Sequence, residues 1–568
     1  MSPSWNERGR IMGVKIVVIG GVAGGATAAA RARRISEDAE ITVLEKGPYV
    51  SFANCGLPYH ISGDIPKRSK LLLQTPEGFD SRYGIKVLVR TEALEIDRAG
   101  KRVRAKGSEG ESWIPYDKLI LAQGGSPIMP QVPGADSPNV FKLWTIPDMD
   151  SISKYIEAEK PASAVVVGGG FIGLEMAEAF RARGLETTVV ELLPRVMAVM
   201  DPEFGAMIAG ELKANGVAVR TGAALAAVHP ATKEVELSDG SRISGGIVLF
   251  SVGVRPELSL AKAAGLAIGK SGGLEVDERM RTSDPDVYAA GDMVEVVQKV
   301  SGRRVRVPLA GPANRQGRIA ASNALGVPMH YRGALGTSVV KVFGATAAST
   351  GLTEKAAREA GFDAGVAVIV KDHHASYYPG SKEIYLKLVY DRETSKPLGA
   401  QAFGEAGVEK RIDVIATALQ GGLGLEDLSE LDLAYAPPYS SANDPINVAA
   451  FAALNDISGY SPMETAAELK SAIAAGSSSG AAPAFVLDVR NPGEYEEGHL
   501  ALAVNVPLDD LRFRLGELPR GTRIHVHCRS GFRAHLAQRI LRANGFADTV
   551  NVTGGYLAAV AEGGFDIQ

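Results

Sequence analysis

The chain of 568 residues holds two cysteines, and each stands where a thiol could react. Cys55 lies within YVSFANCGLPYH, residues 49–60, and Gly56, Leu57, Pro58 and Tyr59 follow it. Cys528 follows the short run RIHVH and opens the segment CRSGFR. A redox protein that works through an internal disulfide keeps its two cysteines close, often as Cys-x-x-Cys. Neither thiol here has such a neighbour. If Cys55 turns over, its second sulfur comes from a substrate thiol, as a mixed disulfide, or oxygen takes that place, as a sulfenic acid. The bland alternative is a buried, inert cysteine.

Glycine-rich turns stand near the first thiol and again downstream. VKIVVIGGVAGGATAAARARRI reads as a buried strand, a glycine turn and a helix, and ITVLEKG as a second strand ending at Glu45. Gly20, Gly21, Ala23, Gly24 and Gly25 form the turn, followed later by Glu45 and Lys46. Counted from Gly20, Val22 replaces the central glycine of a G-x-G-x-x-G pattern. The second loop is complete: ASAVVVGGGFIGLEMAEAF supplies Gly168, Gly170 and Gly173 around Phe171 and Ile172, and the next strand ends at Glu191. Such glycines let backbone amides approach a pyrophosphate at a helix N-terminus, and the acid accepts from a ribose hydroxyl. Glu191 would repel a 2′-phosphate, which favours NADH, although Arg195 stands near.

Composition sets the outer limits. Hydrophobic residues make up 45% and charged ones 22%, with a formal charge of −4, as in ordinary globular proteins. Nothing in that balance calls for nucleic acid or an anionic membrane as partner. No run of about 18 apolar residues suggests a membrane span. The opening MSPSWNERGRIMG has no apolar signal core and reads as dispensable, with Met12 an alternative start. Two free thiols suit a cytoplasmic protein. His373 and His374 have no metal-like companions and read as ordinary polar residues; no metal site is expected. The small-residue stretch SAIAAGSSSGAAPA reads as a flexible loop without chemistry.

Two further segments carry a resemblance. TSDPDVYAAGDMVE runs a strand into Gly291-Asp292, and YDKLILAQGGSP supplies a matching strand and turn. With the two loops, these resemble the pyridine nucleotide-disulfide oxidoreductases. That resemblance implies FAD at the first loop with Asp292, Pro308 and Leu309, and NADH at the second with Gly253. SFANCGLPY is similar to the coenzyme A disulfide reductases and their single-cysteine relatives. It implies that Cys55 faces the flavin, and that Ser51, Phe52 and Asn54, with Arg31 and Arg34, contact coenzyme A. Members with two cysteines carry a histidine-glutamate pair near the C-terminus of the reductase; here AYAPPYS offers tyrosines instead. Tyr377 and Tyr435, with Tyr378 and Tyr439 beside them, are then the expected acid group, given across subunits of a homodimer.

The C-terminal part resembles a rhodanese domain. Asp488, Arg490, Glu494, Tyr495 and His499 match its first signature, and Cys528, Arg529, Ser530, Gly531, Phe532 and Arg533 its active loop. Amides curling round a thiolate at a helix N-terminus favour negative charge there and stabilise a persulfide. Related phosphatases use a loop one residue longer, so the length argues for sulfur.

The expected fold is therefore α/β: two Rossmann-like dinucleotide-binding domains, for FAD and NADH, an α+β dimerisation domain and a C-terminal α/β rhodanese domain. Residues 14–118 begin the FAD domain, 119–150 are its return segment, 151–280 bind NADH, and 281–334 complete the FAD domain. Residues 335–455 form the dimerisation domain and 456–568 the rhodanese domain. The expected activity is NADH-dependent reduction of CoA persulfide, inorganic polysulfide and CoA disulfide, with the rhodanese domain handling sulfane sulfur. A CoA disulfide reductase for thiol balance, and after it an NADH oxidase or peroxidase, are the alternatives.

Overall fold

A computed structural model describes residues 13–479 and 484–568; the opening dozen residues and the centre of the small-residue stretch, on which two of the expectations fall, lie outside them. The chain divides into two compact units. One takes the chain to Leu192 together with Ala223–Gly336, and the other takes Leu193–Gly222 with Thr337–Gln568.

In the first unit a parallel sheet runs in the order Val287–Ala289, Lys118–Leu121, Lys15–Ile19, Glu40–Leu44, Lys86–Leu88. Its central strand, KIVVI, is apolar apart from its first residue and buried along most of its length, as a parallel strand covered on both faces must be. Helices Ala23–Ile35 and Ala310–Ala324 pack on this sheet and against each other. They approach closely because Gly317 faces Gly24: a Cβ at Gly317 would collide with the Gly24 carbonyl oxygen.

A second parallel arrangement places Glu186–Glu191, Ser163–Val167, Ile247–Phe250 and Val140–Lys142 side by side. The strand Val140–Lys142 comes from the stretch read as a return segment of the FAD domain. Helix Ile146–Glu159 also crosses the boundary drawn at 150. Thr145 and Asp148 form a capping box with Pro147 in the first turn, and Ile146, Met149, Ile152 and Ile156 are buried. This helix start was present in the sequence as Thr-x-x-Asp.

The second unit contains an antiparallel sheet in the order Ser338–Val342, Ala345–Gly351, Lys396–Gly404, Glu383–Asp391, Ala364–Asp372. It also contains a parallel sheet in the order Met463–Glu464, Thr549–Val552, Ile524–His527, Phe485–Asp488, Ala503–Asn505. The two sheets are tied by a buried bond from the Val368 amide to Thr553 Oγ1, 2.7 Å, while Asp456, in helix Pro445–Ile457, accepts from Tyr390 Oη (2.6 Å), Arg392 Nε (3.0 Å) and the Met463 amide (2.8 Å). Lys387 is buried among Asp201, Glu203 and Glu354 at 3.0, 2.7 and 2.9 Å, so its ammonium is matched from three sides.

One expected loop is a helix. Ala466–Ser479 is helical and includes most of SAIAAGSSS. Thr465 and Glu468 cap it reciprocally, and alanine-rich sequence propagates a helix once its first turn is fixed. Low complexity hid a good helix former.

Candidate active sites

The first loop is built to bring amides forward. Gly20 has φ +96°, and a Cβ on Gly25 would collide with the Gly20 carbonyl, so strand and helix approach at a distance only glycine allows. The Glu45 carboxylate accepts from the amides of Gly21 (2.9 Å) and Gly47 (2.7 Å) and fixes the turn. Ala23 begins the helix and Leu309 precedes helix Ala310–Ala324, while Lys46 is exposed. Asp292 is a largely buried carboxylate that forms no hydrogen bond among the described residues, and burial pushes its pKa up to about 6. A buried acid with unused acceptors beside a glycine cradle fits a ligand carrying hydroxyl groups, as the ribityl chain of FAD does.

The second loop repeats the device. Gly168 has φ +107°, a Cβ on Gly173 would collide with the Gly168 carbonyl, and Gly170 faces open space. Glu191 accepts from the Gly169 amide at 2.7 Å, as Glu45 does from Gly21. Ser251 Oγ donates to the Val167 and Gly168 carbonyls, both at 3.0 Å. Phe171 and Ile172 open helix Phe171–Ala182, and Gly253 has φ +114°. The cradle fits a second dinucleotide.

Cys55 sits in the 3₁₀ turn Asn54–Gly56, ahead of the short helix Leu57–Ser62. Ser51, just upstream, is held at φ +47°, with its amide bonded to the Gly21 carbonyl at 2.8 Å. That strained residue seats the cysteine segment against the first loop. Phe52 bridges to Leu72, and Asn54 Oδ1 accepts from the Cys55 amide at 3.1 Å. The thiol is exposed, yet partial desolvation and then the charges of Glu175 and Asp292 push its pKa up. Glu175 is a residue the sequence reading missed. It projects from helix Phe171–Ala182, accepts from Tyr59 Oη at 3.1 Å, and its own pKa is raised by burial. No local pattern marks it, since Glu175 meets Tyr59 across 116 residues.

Of the basic helix end, Arg31 donates to Ser322 Oγ at 3.0 Å, whereas Arg33 is used up on the carbonyls of Tyr83, Ser36, Glu37 and Gly84. That division sets Arg33 apart from the expected pair, Arg31 and Arg34.

In the second unit, Tyr377 and Tyr435 meet with their hydroxyls 3.1 Å apart and both rings exposed. That hydrogen bond raises the pKa of Tyr377 and keeps a phenolic proton in place. Tyr378 packs edge-on to His374 instead, and Tyr439 is exposed.

Cys528 is 1% exposed, at the end of strand Ile524–His527. Gly531, at φ +104°, turns its amide onto the sulfur at 3.1 Å, and helix Phe532–Ala543 starts immediately afterwards. Arg533 lies beside the sulfur and is paired to Glu494 at 2.6 and 2.7 Å, which holds that carboxyl down at about 2. Arg490 pairs with the buried Asp488 at 2.7 Å and lies over the Tyr556 ring, while His499 stacks on Tyr495. Arg529, the residue after the cysteine, pairs with Glu383. The Gly531 amide and the start of helix Phe532–Ala543 thus lie at the Cys528 sulfur.

Two dinucleotide cradles flanking one reactive thiol, with a second thiol in an anion-binding loop, define a nucleotide-driven thiol reductase joined to a sulfur-carrier module. The chain belongs to the pyridine nucleotide-disulphide oxidoreductase family, whose model matches residues 14–317; the family's dimerisation domain matches 337–444, and a rhodanese-like domain matches 465–562. It is 38% identical over 445 residues to the "NAD(P)H sulfur oxidoreductase (CoA-dependent)" of Pyrococcus abyssi, covering 78% of this chain and 99% of that one. Reduced CoADR-RHD from Bacillus anthracis superposes with a TM-score of 0.94 at 41% identity, covering 98% of this chain and 99% of the other. An NAD-dependent persulfide reductase from A. fulgidus gives 0.88 at 37%, covering 96% and 99%. Among the described residues no helix is long and apolar enough to cross a membrane, and no cluster of His, Cys, Asp and Glu is arranged to hold a metal.

Proposed function

We propose that this chain is an NADH-dependent flavoprotein that reduces CoA persulfide and related polysulfides to hydrosulfide, and CoA disulfide to CoA, through Cys55. One observation carries the reading: Cys55 is an exposed thiol held between a dinucleotide cradle and Glu175, while Cys528 is buried in a loop of its own. The second sulfur of the redox pair is then the substrate's. When bound, FAD supplies the two-electron link between NADH and this thiol.

The chain's own residues do the rest. Glu45 and Glu191 fix the two loops that receive the dinucleotides, and Asp292 accepts from flavin hydroxyls. Arg31 and Arg34 receive the phosphates of coenzyme A, as guanidinium forks suit them. Cys55, as thiolate, attacks the substrate S–S bond. The Tyr377–Tyr435 pair supplies a proton to the departing thiolate, as a general acid must, and acts in the partner subunit's site of a homodimer. Cys528 accepts sulfane sulfur as a persulfide in its amide cradle.

Anaerobic NADH oxidation with CoA persulfide and with CoA disulfide, side by side and with sulfide measured, tests this. Faster turnover with the persulfide and matching sulfide is the expected result. Faster turnover with the disulfide and little sulfide would favour a thiol-balance reductase instead. Cys55→Ser should abolish both reactions with FAD still bound; retained turnover would remove the central role of the thiol.

A further inference from the structure

Both guanidinium groups of the Cys528 loop are matched by carboxylates, and the two carboxylates come from different domains. Arg533 is held by Glu494 within the rhodanese domain. Arg529, the residue after the cysteine, is held in a two-pronged pair by Glu383 at 2.6 and 2.8 Å. Glu383 opens strand Glu383–Asp391 of the antiparallel sheet and pairs in register with Asp372, at the base of the hairpin that carries Tyr377 and Tyr378. Arg490, deeper in the domain, is neutralised by Asp488. Each guanidinium of the loop itself is therefore compensated once Glu383 is in place.

We propose that Glu383 is a specificity-determining residue of the sulfurtransferase loop: by neutralising Arg529 it disfavours small dianionic donors such as thiosulfate and leaves persulfides, whose reacting group carries a single charge, as the donor class. This rests on Cys528 being a sulfur acceptor. With a persulfide, the Cys528 thiolate attacks the outer sulfur of R–S–S⁻, a new S–S bond forms, the donor's S–S bond breaks, and R–S⁻ leaves with the electron pair. With thiosulfate the same displacement expels SO₃²⁻. The dianion gains most from a free cation at the mouth, because its attraction to a single charge is twice that of a monoanion.

The test uses full-length, flavin-loaded protein without NADH and follows thiocyanate formation, in which cyanide takes the outer sulfur from the Cys528 persulfide. Glu383→Gln should lower KM for thiosulfate by about fivefold at low salt, an effect that fades as salt screens the mouth. Its KM for 2-hydroxyethyl persulfide, a small donor whose only charge is on the persulfide, should change only about twofold, because one charge is attracted where thiosulfate has two. Arg529→Ala, which breaks the same ion pair but leaves Glu383 negative, should raise KM for thiosulfate. Opposite signs in the two variants support the inference. If both shift KM the same way, the pair only docks the domains and the inference is overturned. Unchanged constants in Glu383→Gln overturn it as well. If neither wild type nor Glu383→Gln forms thiocyanate from either donor while NADH-driven turnover persists, the sulfurtransferase reading falls and takes this inference with it.

Discussion

At the residue scale, Cys55 meets two opposing demands. A thiolate is the nucleophile, yet desolvation raises the thiol's pKa and the charges of Glu175 and Asp292 raise it further. Replacing Glu175 by Gln removes one of those charges at nearly constant shape. The alkylation of Cys55 by iodoacetamide, followed against pH in protein carrying Cys528→Ser, should then move to lower pH, with a severalfold faster rate at neutrality. An unmoved profile would show that Glu175 does not act on the thiol. Asp292 yields a second prediction. Its pKa of about 6 stands above an unfolded value near 4, so its stabilising contribution is present below the unfolded value and is lost as pH rises through 6. In flavin-free protein, Asp292→Asn should therefore raise the thermal midpoint at pH 8 and leave it nearly unchanged at pH 4, a gain on the order of 2 kcal/mol. The same variant should bind FAD more weakly, because the amide is a poorer acceptor for ribityl hydroxyls. Tighter binding would mean that Asp292 does not face the flavin.

At the element scale, the crossing of helices Ala23–Ile35 and Ala310–Ala324 positions the first cradle, and Gly317 permits it. Gly317→Ala introduces one methyl group against the Gly24 backbone, which has no flexible end to give way. Overpacking of this kind costs about 1–3 kcal/mol, and here it also pushes the FAD loop. Thermal unfolding should fall by several degrees with flavin lost first, whereas Gly170→Ala, in open space, should leave the fold intact. The sequence carried both loops because strand, glycine turn and helix are local and their glycines are sterically required. It did not reveal that helices three hundred residues apart would meet glycine to glycine, a long-range fact with no local pattern. Glu175 escaped for the same reason: it is an ordinary helical acid until the helix is set beside Cys55. The Ala-Ser stretch ahead of the rhodanese strands was misread in the other direction. Low complexity suggested a loop, while Thr465 and Glu468 carried the cap that makes it a helix.

At the scale of the whole molecule, the decisive question is which chain completes which site. Tyr377 and Tyr435 hold each other through one hydrogen bond, exposed and ready to donate, in the domain that matches the family's dimerisation model. In a two-fold dimer each tyrosine pair serves either its own Cys55 or the partner's, and mixed dimers separate these cases. One protomer carries Cys55→Ser with its tyrosines intact; the other carries Tyr377→Phe and Tyr435→Phe with its thiol intact. Each homodimer should be impaired, the first fully and the second by about 10²-fold, the usual scale for a lost general acid. After subunits exchange at random, half the dimers are mixed. If tyrosines act across the interface, each mixed dimer holds one complete site, and activity should recover to about a quarter of wild type. If they act within their own chain, no mixed dimer contains a complete site, and activity stays at the level of the impaired parents. Recovery with CoA disulfide but not with CoA persulfide would locate the tyrosines' proton on CoA thiolate alone.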